Sequence, residues 1–219
     1  MEGNDITCKV VLVGDAGVGK TCIIQRYVNN KYKEENESTI ASSYTYKTLE
    51  LKKYNKTISF DIWDTAGQEL YRALAKNFYI NASIGIMVYD ITRKESFESI
   101  KNYWCEQLKT SGEDNMIIAI AGNKCDLFTQ EVVPEAEVKN YAKEIGAIFR
   151  LTSCKDSIGI DDLFRECGEK YLLDNKLIDA TAENDKKNNN KINNKNKNNI
   201  SLKNEKTEKD KNKKKDKFC

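Results

Sequence analysis

Histidine is absent from the 219 residues, and proline occurs once, at Pro134. Without histidine the chain has no Ser-His-Asp or Cys-His triad and no imidazole to complete a zinc site. Its seven cysteines, at positions 8, 22, 105, 125, 154, 167 and 219, include no C-x-x-C pair, which argues against a metal-binding sulfur cluster. The count is odd, and free thiols fit a reducing compartment. No apolar run approaches the roughly 20 residues that a membrane span requires. Met1-Glu2-Gly3-Asn4-Asp5 lacks the apolar core of a secretory signal, and Gly3 stands one position too late for N-myristoylation.

A second scarcity divides the chain. From Ala180 onward aromatics are missing until Phe218, and the sequence becomes rich in Asn and Lys. Such a segment buries too little surface to offset chain entropy, so residues 180–219 are expected to form a disordered tail behind a folded domain over 1–179. The net charge of +2 conceals an asymmetry: the tail holds 13 Lys against 6 Asp and Glu, which leaves the domain acidic. The plain reading of the tail is a solvated linker; anionic lipid and nucleic acid are the sharper alternatives. With 39% apolar residues over the whole chain, the part before the tail is able to pack one domain of ordinary size.

What is present is organised around residues 9–27, KVVLVGDAGVGKTCIIQRY. The apolar run Val10 to Val13 reads as a buried strand, and an apolar-periodic helix starts at Lys20. Between them, Gly14-x4-Gly19-Lys20-Thr21 has the spacing of a phosphate-binding loop, in which backbone N–H groups and a helix N-terminus point at a polyanion. Gly14 and Gly19 would let the backbone curl, Lys20 would reach the β- and γ-phosphates, and the Thr21 hydroxyl would sit on Mg²⁺. By itself the pattern also describes a glycine turn before an ordinary helix, and it names no base.

Further along, Tyr44 to Leu51 and Thr57 to Trp63 read as a hairpin, with Ile58, Phe60 and Ile62 alternating on one face. A helix is expected over Leu70 to Tyr79. Ser83 to Tyr89 and Met116 to Ala121 read as central strands separated by a helix from Lys94 to Lys109. Pro134 opens a helix to Ile145 as its first helical residue; Ala147 to Leu151 is a last strand, and Gly159 to Leu173 a last helix. This alternation predicts an α/β fold: a six-stranded, mostly parallel sheet with one antiparallel hairpin strand and helices on both faces. Ligands in such folds lie beyond the carboxyl ends of the strands.

Two further loops fall at such ends. Asp64 closes a strand and would hold Mg²⁺ through a water; Gly67 would bring its N–H to a γ-phosphate, and Gln68 would orient an attacking water. Alone, Asp64-Thr65 reads equally well as a capped loop before a helix. Asn123-Lys124-Cys125-Asp126 follows a buried strand. Guanine offers N1–H and N2–H₂ donors together, which the Asp126 carboxylate would accept, and adenine has no such pair, so the motif favours GTP. Asn123 would tie the loop together and Lys124 would lie along the base plane.

With G-D-A-G-V-G-K-T, W-D-T-A-G-Q-E, N-K-C-D and T-S-C-K standing in order, the chain resembles the Ras superfamily of small GTPases, and within it the Rab family of vesicle-traffic regulators. Tyr71-Arg72-Ala73-Leu74 and Val88-Tyr89-Asp90-Ile91-Thr92 look Rab-like, and Asn36-Glu37-Ser38-Thr39-Ile40 is similar to the early-endosomal Rab subgroup. The resemblance covers residues 5 to 175 and implies a P-loop small GTPase domain. It implies that Gly14, Asp15, Ala16, Gly17, Val18, Gly19, Lys20, Thr21 and Cys22 surround the phosphates. Thr39 would join Thr21 on Mg²⁺ when a γ-phosphate is present, and Tyr32 would pack on the guanine ring. Asn123, Lys124, Asp126, Leu127, Ser153, Cys154 and Lys155 would surround the base, with a backbone N–H at Cys154 reaching O6. Catalysis would rest on Lys20 and Gln68, with slow intrinsic turnover and an activating protein adding a factor of about 10³ to 10⁵.

The departures concern partners. Ala41-Ser42-Ser43-Tyr44 is an unusual effector loop, and Leu70 replaces a customary Arg. Where Rabs commonly end in two cysteines, this chain ends Lys217-Phe218-Cys219, so Cys219 is the candidate for prenylation and the tail lysines would supply a second, lipid-directed signal. The implied partners are an exchange factor, a GTPase-activating protein, effectors, prenylation and extraction machinery, and an anionic membrane surface. The place implied is the cytoplasmic face of an endosomal or other vesicular membrane, with a cytosolic pool. Two other functions compete with this reading. One is a guanine-nucleotide-sensing module with little useful hydrolysis. The other is a nucleic-acid binder, against which stand the acidic domain and the tail's lack of aromatics before Phe218.

Overall fold

The computed structural model describes residues 6–33, 43–64, 78–113 and 115–178. Six strands form one sheet: β1 Ile6–Val13, β2 Ser43–Leu51, β3 Lys56–Asp64, β4 Ile84–Asp90, β5 Ile117–Asn123 and β6 Ile148–Thr152, in the order β2-β3-β1-β4-β5-β6. Every pairing is parallel except β2 with β3. Helix α1 is Lys20–Asn29, and α2 runs over 94–111 as Lys94–Ser99, a π-helical turn Ile100–Trp104 and Cys105–Ser111. A 3₁₀ segment Cys125–Gln130 precedes α3, Glu135–Ile145, and α4 is Ile160–Asp174.

Continuous apolar runs make the central strands because both of their faces are covered. On one face Val11, Val13, Met87, Tyr89, Ile118 and Ile120 pack with Phe97 and Trp104 of α2 and Val138 of α3. On the other, α1 and α4 meet: the Tyr27 ring stacks on Phe164 with centroids 3.8 Å apart and 3° between planes, and Phe60 of β3 lies 5.9 Å from Phe164.

Two expectations needed correction. The period of the 94–109 segment predicts an unbroken helix, whereas the amide of Cys105 bonds to the carbonyl of Ile100, one residue further back than in an α-helix. Pro134 caps α3 instead of opening it. Its ψ of 129° is extended, and the fixed φ of proline suits both conformations, so φ alone could not decide. The helix expected over 70–79 lies outside the described residues apart from Phe78 and Tyr79, and the tail from 180 lies outside them entirely.

The register brings the carboxyl ends of the strands into line. Leu12 pairs with Asp64, Asp90 with Asn123, and Asn123 with Thr152. One edge of the sheet thereby gathers two buried aspartates, an asparagine and a threonine beside the loop that follows β1. Among the described residues no helix is long and apolar enough to cross a membrane.

Candidate nucleotide site

The turn from β1 into α1 needs glycine at both ends. Gly14 has φ 142°, and a Cβ there would lie 2.2 Å from the Val88 carbonyl oxygen; Gly19 has φ 100°, and a Cβ would meet Asn123 Nδ2 at 2.2 Å. Neighbouring elements hold the loop from outside. Trp104 Nε1 donates to Asp15 Oδ1 at 2.9 Å, Arg93 Nη2 to the Ala16 carbonyl at 2.9 Å, and Asn123 Nδ2 to the Val18 carbonyl at 2.8 Å. The π turn buries Ile100 and Trp104 together, in the stretch of α2 from which the indole reaches the loop.

Lys20, 5% exposed, folds across this loop and donates to the carbonyls of Gly14 at 2.9 Å and Asp15 at 3.0 Å. Burial lowers its pKa to about 8, against the opposing pull of Asp64 and Asp15, and Arg93 adds to the lowering. Next to it, Thr21 Oγ1 donates to Asp64 Oδ2 at 2.6 Å. Asp64 is 1% exposed, and its other oxygen, Oδ1, has no hydrogen-bond partner among the described residues. Burial raises the Asp64 carboxyl, while the Thr21 bond and Lys20 act against that rise.

The loops after β5 and β6 are knitted to each other. Asn123 Oδ1 accepts from Thr152 Oγ1 at 3.2 Å and from Cys154 Sγ at 3.6 Å. Lys124 adopts φ 66°, and its Nζ lies 2.6 Å from Asp90 Oδ2. Burial works against ionisation of Asp90, but the bonds from Lys124 and Thr92 outweigh it and hold that carboxyl below its usual range. Ser153 Oγ donates to Asp126 Oδ1 at 2.7 Å, and the Leu127 amide bonds to the Lys124 carbonyl at 2.9 Å. The Cys154 thiol is pushed up by its hydrogen bond with Cys22 and by burial. Lys155 is exposed, Gly17 has φ 76°, and Tyr32 is 36% exposed near Arg26.

Thus Gly14 to Cys22, Asp64, Asn123 to Leu127 and Ser153 to Lys155 share one edge of the sheet. Thr39, Gly67, Gln68 and Cys219 lie outside the described residues, as do Ala41, Ser42 and Leu70. Sequence reasoning missed Arg26, Asp90, Arg93 and Trp104. Asp90 alone gave a local signal, a carboxylate at the end of a buried strand. It also missed an aromatic row: Tyr44, 54% exposed, tilts on Trp63 at 5.3 Å, and Trp63 on Phe78 at 5.6 Å.

A Ras-family profile matches residues 9–173. Among curated proteins, the Ras-related protein Rab5A of Oryza sativa subsp. japonica is 41% identical over 181 residues, covering 82% of this chain and 88% of its own. The Ras-related protein Rab-22A of Homo sapiens is 44% identical over 162 residues, covering 74% and 82%. The Ras-related protein Rab-31 of Mus musculus is 43% identical over 157 residues, covering 72% and 79%. The similarity falls in the early-endosomal Rab subgroup and does not favour a sensor without hydrolysis. The chain belongs to the Ras family as a Rab-like small GTPase of vesicle trafficking, which binds GTP or GDP with Mg²⁺ and hydrolyses GTP.

Proposed function

We propose that the loop edge described above is the guanine-nucleotide site of a switch whose on and off states are read at a vesicular membrane. The observation that carries it is a pair of buried ionic groups. Lys20 bonds to carbonyls of its own loop, and Asp64 holds one oxygen on Thr21 and the other on nothing described. A buried ammonium beside curled backbone fits a polyphosphate, and a hydroxyl with a spare carboxylate oxygen fits a hard divalent cation. No three His, Cys, Asp or Glu side chains cluster as a metal site among the described residues. Thr21, Thr39 and, through water, Asp64 would hold Mg²⁺. When bound, it neutralises charge on the phosphates.

Within this site Gly14 to Cys22 wrap the phosphates, and Lys20 turns from the loop carbonyls to the phosphate oxygens. Asp126, steadied by Ser153, accepts from the guanine edge, and Lys124, steadied by Asp90, lies along the base. Tyr32 covers the ring, while Leu127 and Cys154 complete the rim. Thr39 and Gly67 meet the γ-phosphate, and Gln68 orients water. As a Rab relative the chain works with exchange factors, activating proteins and effectors. The row of exposed Tyr44 and half-buried Trp63 and Phe78 is a surface suited to effectors. Similarity to the Rab5, Rab-22A and Rab-31 relatives supports the cytoplasmic face of an early-endosomal or other vesicular membrane. Cys219 carries the prenyl group, with the tail lysines as the second attachment.

Single-turnover hydrolysis of bound GTP with Mg²⁺ tests the reading. The unaltered protein should hydrolyse slowly, Gln68→Leu should slow it by about tenfold or more, and Lys20→Ala should lose tight GTP binding. Equal rates with Gln68→Leu would remove Gln68 from the reaction, and unchanged affinity in Lys20→Ala would overturn the site.

A further inference from the structure

Arg26 belongs to none of the loops assigned above to the nucleotide, yet it joins two of the groups around the base. Its Nε donates to the Cys154 carbonyl at 2.7 Å and its Nη2 to the Lys155 carbonyl at 3.3 Å. On the other side, Nη1 donates to the Asn30 carbonyl at 3.2 Å and to Asn30 Oδ1 at 3.0 Å. Asn30, with φ 52°, is the left-handed residue at which α1 stops and the chain turns toward Tyr32. The guanidinium carbon lies 5.9 Å from the centroid of the Tyr32 ring.

A cation near the end of a helix ordinarily serves that helix's own last carbonyls. Here two of the donors reach carbonyls 128 and 129 residues away in sequence. Because a guanidinium is planar and its donors are fixed relative to one another, meeting the Cys154, Lys155 and Asn30 acceptors along its edges while it lies by the Tyr32 ring sets those partners in one mutual arrangement. There is also a directional consequence. Bonds to the Cys154 and Lys155 carbonyls fix the backbone just beyond Cys154, and with it the direction of the Cys154 N–H assigned above to O6.

We propose that Arg26 is a specificity-determining positioning residue: it sets the backbone at Cys154 and Lys155, and Tyr32, in the places from which they meet the edge and the face of guanine. It touches no nucleotide itself and acts through the peptide at 154–155 and through the chain leaving α1. The proposal rests on the assignment of the base site made above.

The test measures nucleotide release from the full chain with Mg²⁺, for GDP, for 6-thioguanosine diphosphate, which changes the atom facing the 153–155 loop, and for IDP, which lacks the amino group facing Asp126. In Arg26→Ala, GDP release should quicken by about tenfold, the size expected for losing charge-assisted bonds that are part-exposed. The penalty for sulfur at position 6 should shrink by a similar factor, because a loosened loop no longer distinguishes the two atoms. The penalty for the missing amino group should stay within about twofold, since Ser153 still holds Asp126. GDP release at the unaltered rate would overturn the proposal, and so would an equal shift for all three nucleotides, the mark of a generally weakened helix. If the unaltered protein itself did not distinguish sulfur from oxygen, the base-site assignment would fall and the proposal with it. Should Arg26→Ala not fold, Arg26→Lys carries the same comparison, keeping the charge and losing the fork; an undiminished sulfur penalty in it would overturn the proposal.

Discussion

Gly14 sits where the loop after β1 passes under the end of β4. A methyl group there would stand 2.2 Å from the Val88 carbonyl oxygen, and the φ of 142° is one that L residues rarely adopt. The obstacle is backbone inside a central strand, so it has nowhere to move. Gly14→Ala is expected to destabilise the protein by about 2–4 kcal/mol, measured by denaturant unfolding with GDP and Mg²⁺ present; a loss within error of zero would mean that the loop relaxes freely. Lys20 shows the converse, a residue whose identity is chemical. Its burial and lowered pKa describe a cation held ready for an anion. Both positions could be read in the sequence because glycine and lysine at that spacing do one physical job. Arg26, Arg93 and Trp104 could not, since each finds its partner through the fold: Trp104 meets Asp15 across 89 residues of sequence.

Among the elements, α1 has two duties. Its N-terminus carries Lys20 and Thr21, and its inner face carries Tyr27, stacked on Phe164 of α4 and tilted against Phe60 of β3. Lys47 of β2 lies over the same Tyr27 ring, 4.0 Å from its centroid, and donates to the Tyr27 carbonyl. Truncating Phe164, a fully buried ring at the centre of this group, is expected to cost about 3–5 kcal/mol. Thermal unfolding of Phe164→Ala against the unaltered protein checks this, and a melting point lowered by less than 2 °C, roughly what a small surface change produces, would show that the cluster repacks. In α2, by contrast, periodicity misled. Phe97, Ile100, Trp104 and Leu108 keep the three- and four-residue spacing of an ordinary helix across the π turn, so the pattern alone does not reveal it.

For the whole chain, the division of charge carries a prediction of its own. An acidic domain joined to a tail with 13 Lys against 6 acidic residues should approach an anionic bilayer tail first. Unlipidated full-length protein is expected to bind phosphatidylserine-containing vesicles at low ionic strength and to release them at about 0.5 M salt, where screening is nearly complete beyond a few ångströms. Replacing Lys213, Lys214, Lys215 and Lys217 with Gln should weaken binding by about tenfold or more. Co-sedimentation with vesicles measures both effects, and binding indifferent to salt and to the four substitutions would argue for a different attachment.

The amino-acid order by itself determined the α/β alternation, the parallel central strands, the start of α1 at Lys20 and the ending of β3 at Asp64. Those features depend on periodicity, burial on both faces of a strand and the backbone needs of glycine, all of which are local. Tertiary structure alone decided that Asn123 reaches Val18, that Asp90 pairs with Lys124, that Trp104 meets Asp15 and that Arg26 ties the 154–155 carbonyls to the end of α1. Each is a contact between polar groups far apart in sequence, and such groups leave no period to read; strand register lines up Asp64, Asp90, Asn123 and Thr152, and the packing of α1 and α2 on the sheet brings Arg26 and Trp104 to the neighbouring loops.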